Sequence, residues 1–439
     1  MSSDNNNNSN SNNDYLYQDA ETSNLDHPDA AIRLASVVHR FGVPRCQGKV
    51  RFTTSFSTAG RHDKTRRLML SADDHRSRLQ EACNADKISA QRVVDNARRY
   101  IPVMHNILVS CKVQPEMARL DQKLIFEWKS GIEQKNTAKA FSSEALMYDL
   151  TMAIAAEGLG RAAAATENSV AGEFAAASRD YAAAAGIFDF LHTEHLPKWI
   201  SKGSHVDVKS LPSECHAATA KALRMLFQAN GQQMAVATVL IKPGTPNYAL
   251  LAKLCFGIAE TLQDFSAFLR RECLESQGRM DKDFFTLVAF QTGVHQALSL
   301  YFQARAAWNA TEYGIAIALV SEATVALRTR EAVGSPGLPD VAKSPVLKAL
   351  TPDLQALRAH CNQVLHAWEK DNNACYYNAV PQKVPAEKKL QEGIQMNRLE
   401  AYTLADAEPH LLVIPEGQLQ RSDSDLAREL QERLNAGED

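Results

Sequence analysis

Apolar side chains recur every three or four positions through most of the chain between Leu68 and Cys375, the spacing of amphipathic helices. The densest such stretch is Ala175–Ile200. There Tyr181, Phe188 and Leu191 fall at steps of seven and three and share one face, while flanking alanines let a neighbouring helix approach closely. This helix reads on through His195 and is expected to end near Pro197, because proline removes a backbone donor. A second stripe, Ile88, Val93, Val94, Ala97, Ile101, Met104 and Leu108, contains Pro102, which is expected to kink or interrupt it. Leu120, Leu124, Ile125, Phe126 and Trp128 read as part of the same helical run. Breaks are expected at Gly131, around Glu167–Val170, at Gly203–Pro212, at Pro243–Pro246, near Gly278 and at Gly334–Pro339. Another long helix is marked by Phe285, Val288, Ala289, Thr292, Gln296, Ser299 and Ala306. The last runs to about Trp368, with Thr351 as its N-cap and Pro352 at its first helical position.

Two segments break this rhythm. From Lys49 to Ser57, Val50, Phe52, Thr54 and Phe56 alternate with polar residues, a period of two that predicts a half-buried strand. Beyond Pro381 the chain turns polar, and His410–Ile414 is expected to be a strand or an extended segment lying on the body. Residues 1–28 form an Asn/Ser-rich tail expected to be disordered, and residues 416–439 a charged C-terminal tail with a short, frayed helix. Short connections imply antiparallel helix pairs, without a strict repeat.

Composition narrows the function classes. The formal net charge of −3 leaves no nucleic-acid footprint at the level of the whole chain. Eight scattered cysteines without a Cys-x-x-Cys pair fit a reduced compartment. The polar N-terminus and the lack of an apolar run near ~18 residues point to a soluble intracellular protein.

Candidate chemistry reduces to a few lookalikes. Gly158-Leu-Gly160-Arg-Ala-Ala163 has the spacing of a dinucleotide fingerprint, but its preceding residues read as helix, so packing explains it better. His192 and His195 lie three apart, usable for a metal only with further ligands such as His205 or Cys215; a capping or solvated pair is the simpler reading. Cys215-His216 and His360-Cys361 are adjacent only in sequence. The basic run Arg61, Lys64, Arg66 and Arg67 reads as a solvated face that could touch acidic lipid or an acidic partner. No cofactor, metal or small-molecule substrate is expected, and nothing points to an enzyme.

Five motifs in order resemble the BRO domain of the Alix/Brox-type family, closest to its Brox-like branch. They are Phe126-Glu-Trp128-Lys129; Glu144-Ala-Leu-Met-Tyr-Asp-Leu150; Ala184-Ala-Gly-Ile-Phe188 with His195-Leu-Pro-Lys198; Tyr313-Gly314 with Ile317-Ala318 and Ala323; and Asp371 to Asn378 with Val380-Pro381. The resemblance covers about residues 45–415. It implies a mostly α protein, a single elongated, curved helical domain with a tetratricopeptide-like core and a small N-terminal β element, to which the 49–57 strand is assigned.

The resemblance also implies a function, that of a non-catalytic adaptor of the ESCRT machinery in endosomal sorting or membrane remodelling. Its partner would be the amphipathic C-terminal helix of the ESCRT-III Snf-seven subunit (charged multivesicular body protein four), received in an apolar groove. Two groove positions of the family align with Leu250 and Leu254, and an aromatic one falls near Gln233 or Met234. The connection Ile241–Tyr248 is longer than the family's. Tyr377 aligns with a family tyrosine that can be phosphorylated, and is expected here to pack with a polar tip. The V-shaped domain and proline-rich tail of Alix-type proteins and the terminal Cys-a-a-X box of Brox are not found, so membrane association is expected to be indirect or through a basic surface. The competing reading is a rhophilin-like signalling scaffold.

Overall fold

The computed structural model describes residues 29–56, 61–114, 123–134, 139–200, 207–330, 337–396 and 398–412; the two predicted terminal tails and His205 lie outside them. The chain is mostly helical, with a small β element near the N-terminus. In order, α1 is Asp29–Ser36, β1 Arg45–Gln47, α2 Phe52–Ser55, α3 Asp63–Asn84, α4 Ala90–Val113, β2 Phe126–Lys129 and β3 Ala140–Ser143. Then follow α5 Leu146–Val170, α6 Phe174–Phe190, α7 Leu196–Trp199, α8 Ala217–Leu240 and α9 Tyr248–Glu272. The rest are α10 Leu274–Arg279, α11 Lys282–Asn309, α12 Tyr313–Ala326, α13 Pro345–Lys348 and α14 Thr351–Asp371. The described residues group into two compact units, one within 29–37, 236–259 and 289–394, the other within 38–235, 260–288 and 395–412.

The larger unit is built around α5. This helix is buried on every side without a gap from Tyr148 to Gly160, mostly by apolar residues but with Asp149, Thr151 and Glu157 among them, and has α4 against one flank and α6 against another. The glycines of the apparent dinucleotide motif lie in its interior. A Cβ on Gly158 would press on Phe188, and one on Gly160 on Val94, so both serve close helix contact.

The β element is an antiparallel sheet in the order β1-β2-β3, with Cys46 opposite Trp128 and Trp128 opposite Phe141. It is not where the 49–57 alternation places it. Phe52 and Phe56 are spaced i,i+4 as well as by multiples of two, and both are buried while Thr54 is exposed. The Asp73 carboxylate decides between the two periods. It accepts from Phe52 N at 2.6 Å and Thr53 Oγ1 at 2.6 Å, turning the chain into α2 instead of a strand. Conversely Phe126–Lys129, read above as helical, is β2, with Phe126 and Trp128 inward.

The two prolines sit differently in their helices. α4 runs through Pro102 without a break; the carbonyl of Arg98, deprived of its donor, belongs to an exposed residue where water can take its place. Near Pro197 the helical run ends, as expected, at Trp199. Leu191–His195 form a π-helical turn, and Pro197 sits in the first turn of α7, where a missing N–H costs little. Thr351 is the first residue of α14, and its N-cap is Leu350.

In the smaller unit α12 and α1 both pack on α14, and Trp308 stacks on Trp368 at 4.3 Å between centroids. Extended chain then lies along the helices of each unit. His410–Leu412 is extended without a ladder partner, as one of the two predicted alternatives has it, and Leu412 is buried.

Candidate partner-binding surface

Helix α9 begins where Pro246 and Asn247 prepare it. The Asn247 side chain accepts from Leu250 N at 3.0 Å and its carbonyl from Leu251 N, the arrangement of an N-cap. Its first residue is anchored as well. The Arg305 guanidinium lies 4.9 Å from the Tyr248 ring centroid and donates to the Tyr248 hydroxyl at 3.2 Å.

On this fixed helix Ala249 and Lys253 are exposed, which defines the solvent face, and Leu250 lies half-buried at its edge. Leu254 is only 3% exposed. Four residues advance a helix by about 40° beyond a full turn, enough to carry Leu254 from that edge toward the core. On α8, Met234 is fully buried (0%), between buried Gln232 and Gln233 and half-buried Ala235. The end of α8 supplies further accessible apolar surface. Ile241 is 50% exposed and Val239 half-buried, at the start of the exposed connection to α9.

Sequence reasoning missed one occupant of α9. The extended segment around Ile394 crosses it, with Ile394 N donating to Lys253 O at 3.1 Å. A Cβ at Gly257 would sit 2.7 Å from the Ile394 carbonyl, so only glycine admits this crossing. A glycine inside an otherwise strongly helical run was the available signal. Gly186 on α6 and Gly314 on α12 make room in the same way for the backbone at Glu400 and Ala379.

The structure disperses the other lookalikes. His195 Nε2 meets Thr151 Oγ1 at 2.9 Å, and burial pushes its pKa down to about 4. His192 Nδ1 instead faces the Ala217 carbonyl at 3.0 Å. Cys215 Sγ contacts Met152 Sδ, His216 Nδ1 meets Ser276 Oγ, and His360 Nε2 meets the Tyr301 hydroxyl. Among the described residues no three His, Cys, Asp or Glu side chains converge as metal ligands. Arg61, Lys64, Arg66 and Arg67 are all exposed. Tyr377 departs from expectation: it is 75% exposed with a left-handed backbone (φ 52°), so its ring stands in solvent instead of packing.

The sequence profile of the BRO1-like domain matches residues 69–411. The chain belongs to the BRO1-like domain family. This is a family of protein-interaction adaptor domains. A BRO1-like fold is also what the similar solved structures have. One, "ALIX BRO1 CHMP4C complex", shares 15% identity at a TM-score of 0.61, covering 85% of this chain and 98% of that one. ALIX in complex with the SIVmac239 PYKEVTEDL late domain gives 15% identity and a TM-score of 0.63 over 88% of this chain and 52% of that one. "Structure basis for endosomal targeting by the Bro1 domain" gives 12% and 0.62, covering 91% and 98%. Comparison with curated protein sequences gives no match. No helix among the described residues of this BRO1-like domain is long and apolar enough to cross a membrane.

Proposed function

We propose that this BRO1-like domain is an ESCRT adaptor that takes the amphipathic C-terminal helix of an ESCRT-III subunit of the Snf-seven (charged multivesicular body protein four) type on the N-terminal half of α9. The observation that carries the reading is Leu250: an apolar side chain half-open to solvent on a helix whose start is pinned by Asn247 and Arg305. The similar ALIX domain in complex with CHMP4C supports the choice of partner. In this reading Leu250 touches the incoming helix and Ile241 and Val239 extend its apolar footing. Leu254 and Met234, both buried, hold the backbones of α9 and α8 from within.

Full burial of an aliphatic side chain is worth about 1.5–3 kcal/mol. Leu250 and Ile241 start partly covered, and ordering a peptide costs a good part of the gain. The contact is therefore weak and reversible, as an adaptor on a disassembling polymer requires. Recruitment to endosomes follows from the partner in this reading.

The test is titration of the full chain with C-terminal helices of each ESCRT-III subunit, repeated with Leu250→Asp. Binding of a Snf-seven-type helix that Leu250→Asp abolishes, with unchanged helical circular dichroism, supports the assignment. Equal binding by the variant sinks the α9 surface, and no binding by any subunit sinks the ESCRT-III reading in favour of a rhophilin-like signalling scaffold.

A further inference from the structure

A cleft of about 210 Å³ opens in the smaller unit where α12 ends against α14, lined by Thr324, Arg328, Thr329, Arg358 and Asn362. We propose that this cleft is a binding site for a phosphate group carried by a small ligand, with Arg328 and Arg358 as its charged grips. The site lies apart from Leu250 in function and does not rest on the ESCRT reading.

Among the described residues two guanidiniums line the cleft and no carboxylate does. Among the described residues Arg358, half-buried, has only a neutral partner. Its Nε and Nη2 both donate to the Leu327 carbonyl, the former at 2.7 Å. Among the described residues no acidic side chain pairs with Arg358 or Arg328, whereas Arg33 of the same unit is matched to Asp353. A role for Arg358 as a clamp on the end of α12 accounts for two of its N–H groups. It does not account for Nη1, for the lack of a counter-charge among the described residues, or for the second arginine. Burial lowers the Arg358 pKa, the direction expected of a cation that lacks an anion to balance it.

The geometry is pre-set. Arg358 and Asn362 are one turn apart on α14, while Thr324 sits in the last turn of α12 and Arg328 in the bend just beyond it, so each side of the cleft offers a cation and an uncharged polar group. Below them the backbone is tied, with Leu338 N donating to Arg328 O at 2.8 Å and Arg330 N to Leu338 O at 2.9 Å. A planar guanidinium held by two of its donors presents the rest in a fixed fork, the form that suits phosphate oxygens. The volume lies below the about 300–1,000 Å³ of pockets that enclose whole ligands. It fits a phosphate and its point of attachment.

The test uses the full chain and three probes: inorganic phosphate, free inositol trisphosphate, and phosphatidylcholine vesicles with or without a phosphatidylinositol phosphate. Calorimetry and vesicle flotation are repeated on Arg328→Gln, an exposed position whose loss leaves the fold intact, on Arg358→Gln, and on Arg66→Gln as a control in the basic run. Saturable binding that Arg328→Gln and Arg358→Gln each weaken about tenfold or more, and Arg66→Gln leaves alone, is the expected result. Preference for vesicles over the free trisphosphate assigns the phosphate to a lipid headgroup, and the reverse assigns it to a soluble carrier. Absence of saturable binding to all three probes, or equal weakening by Arg66→Gln, overturns the site.

Discussion

Trp128 donates its indole N–H to Asp149 Oδ1 at 2.7 Å, joining the middle strand of the sheet to the first turn of the central helix α5. The same buried carboxylate accepts from the Tyr100 hydroxyl and, at 3.3–3.4 Å, from the fully buried Arg76 guanidinium. Three elements thus converge on one charge. Asp149→Ala leaves Arg76 as an uncompensated buried cation and should cost about 3–5 kcal/mol. Urea unfolding followed by tryptophan fluorescence reads this as a large fall in midpoint, and a loss below about 1 kcal/mol would contradict the network's role.

Glu214 gives the fold a pH dependence of opposite sign to most acids. Burial pushes its pKa from an ordinary 4.5 to about 7, although Gly131 N donates to it at 2.6 Å and Ser130 Oγ at 2.9 Å; among the described residues Oε2 has no partner. The folded state holds the proton more tightly than the unfolded chain. Its contribution is complete below about pH 4.5 and is lost as the pH rises through about 7, a change of about 3 kcal/mol. Glu214→Gln mimics the protonated form. Melting temperatures from pH 5 to 8 should fall less in the variant than in the native chain; parallel curves would refute the assignment.

Leu250 and Leu254 should separate cleanly. Leu254, buried, should lose about 2–5 kcal/mol of stability on change to alanine. Leu250→Ala, at a half-buried position, should cost clearly less while weakening the proposed helix contact. Paired thermal melts and peptide titrations check both, and the reverse ranking of stabilities would invalidate the orientation of α9.

Gly186→Ala should dislodge the extended segment at Glu400, whose carbonyl occupies the space of the new Cβ, at a cost of about 1–3 kcal/mol. Gly278→Ala is the control, since nothing lies within 4 Å of a Cβ there. Limited proteolysis should cut residues 395–412 faster in the first variant alone.

Thiol chemistry should single out Cys375, the exposed cysteine in the turn after α14. Burial pushes Cys46 and Cys361 up to about 12 and Cys111 and Cys273 up to about 11, and raises Cys83, Cys215 and Cys255 as well. Native alkylation near neutral pH, followed by mass spectrometry, should give one rapid adduct. Equally rapid labelling of Cys111 would contradict this ordering.

Helix periodicity was legible because a residue such as Leu251 or Phe188 is buried by its own helix's phase, a local property. What misled was local ambiguity settled from afar. Phe52 and Phe56 satisfy two periods, and Asp73, some twenty positions on, chooses between them. Phe126 to Lys129 are too few for alternation to outweigh the helical context, and their pairing with Cys46 and Phe141 is non-local. At the candidate surface the sequence could align Leu250 with Leu254 but could not see the rotation that hides the second. The phosphate-cleft arginines carried no signal at all, since Arg328 and Arg358 meet only through packing.

The C-terminal segment is read by α4 through a row of side chains. Asn106, Ser110 and the capping Gln114, four apart, accept from the amides of Glu408, His410 and Leu412, two apart. Four helical residues rise about 6 Å and two extended ones about 6.6 Å, so the rows stay in step. The partners are 298–302 positions apart. At about 5–20 residues per second of synthesis, α4 waits on the order of 15–60 s with that polar row open before its cover emerges. For that interval the nascent chain offers water, or a chaperone, a face that the finished protein never shows.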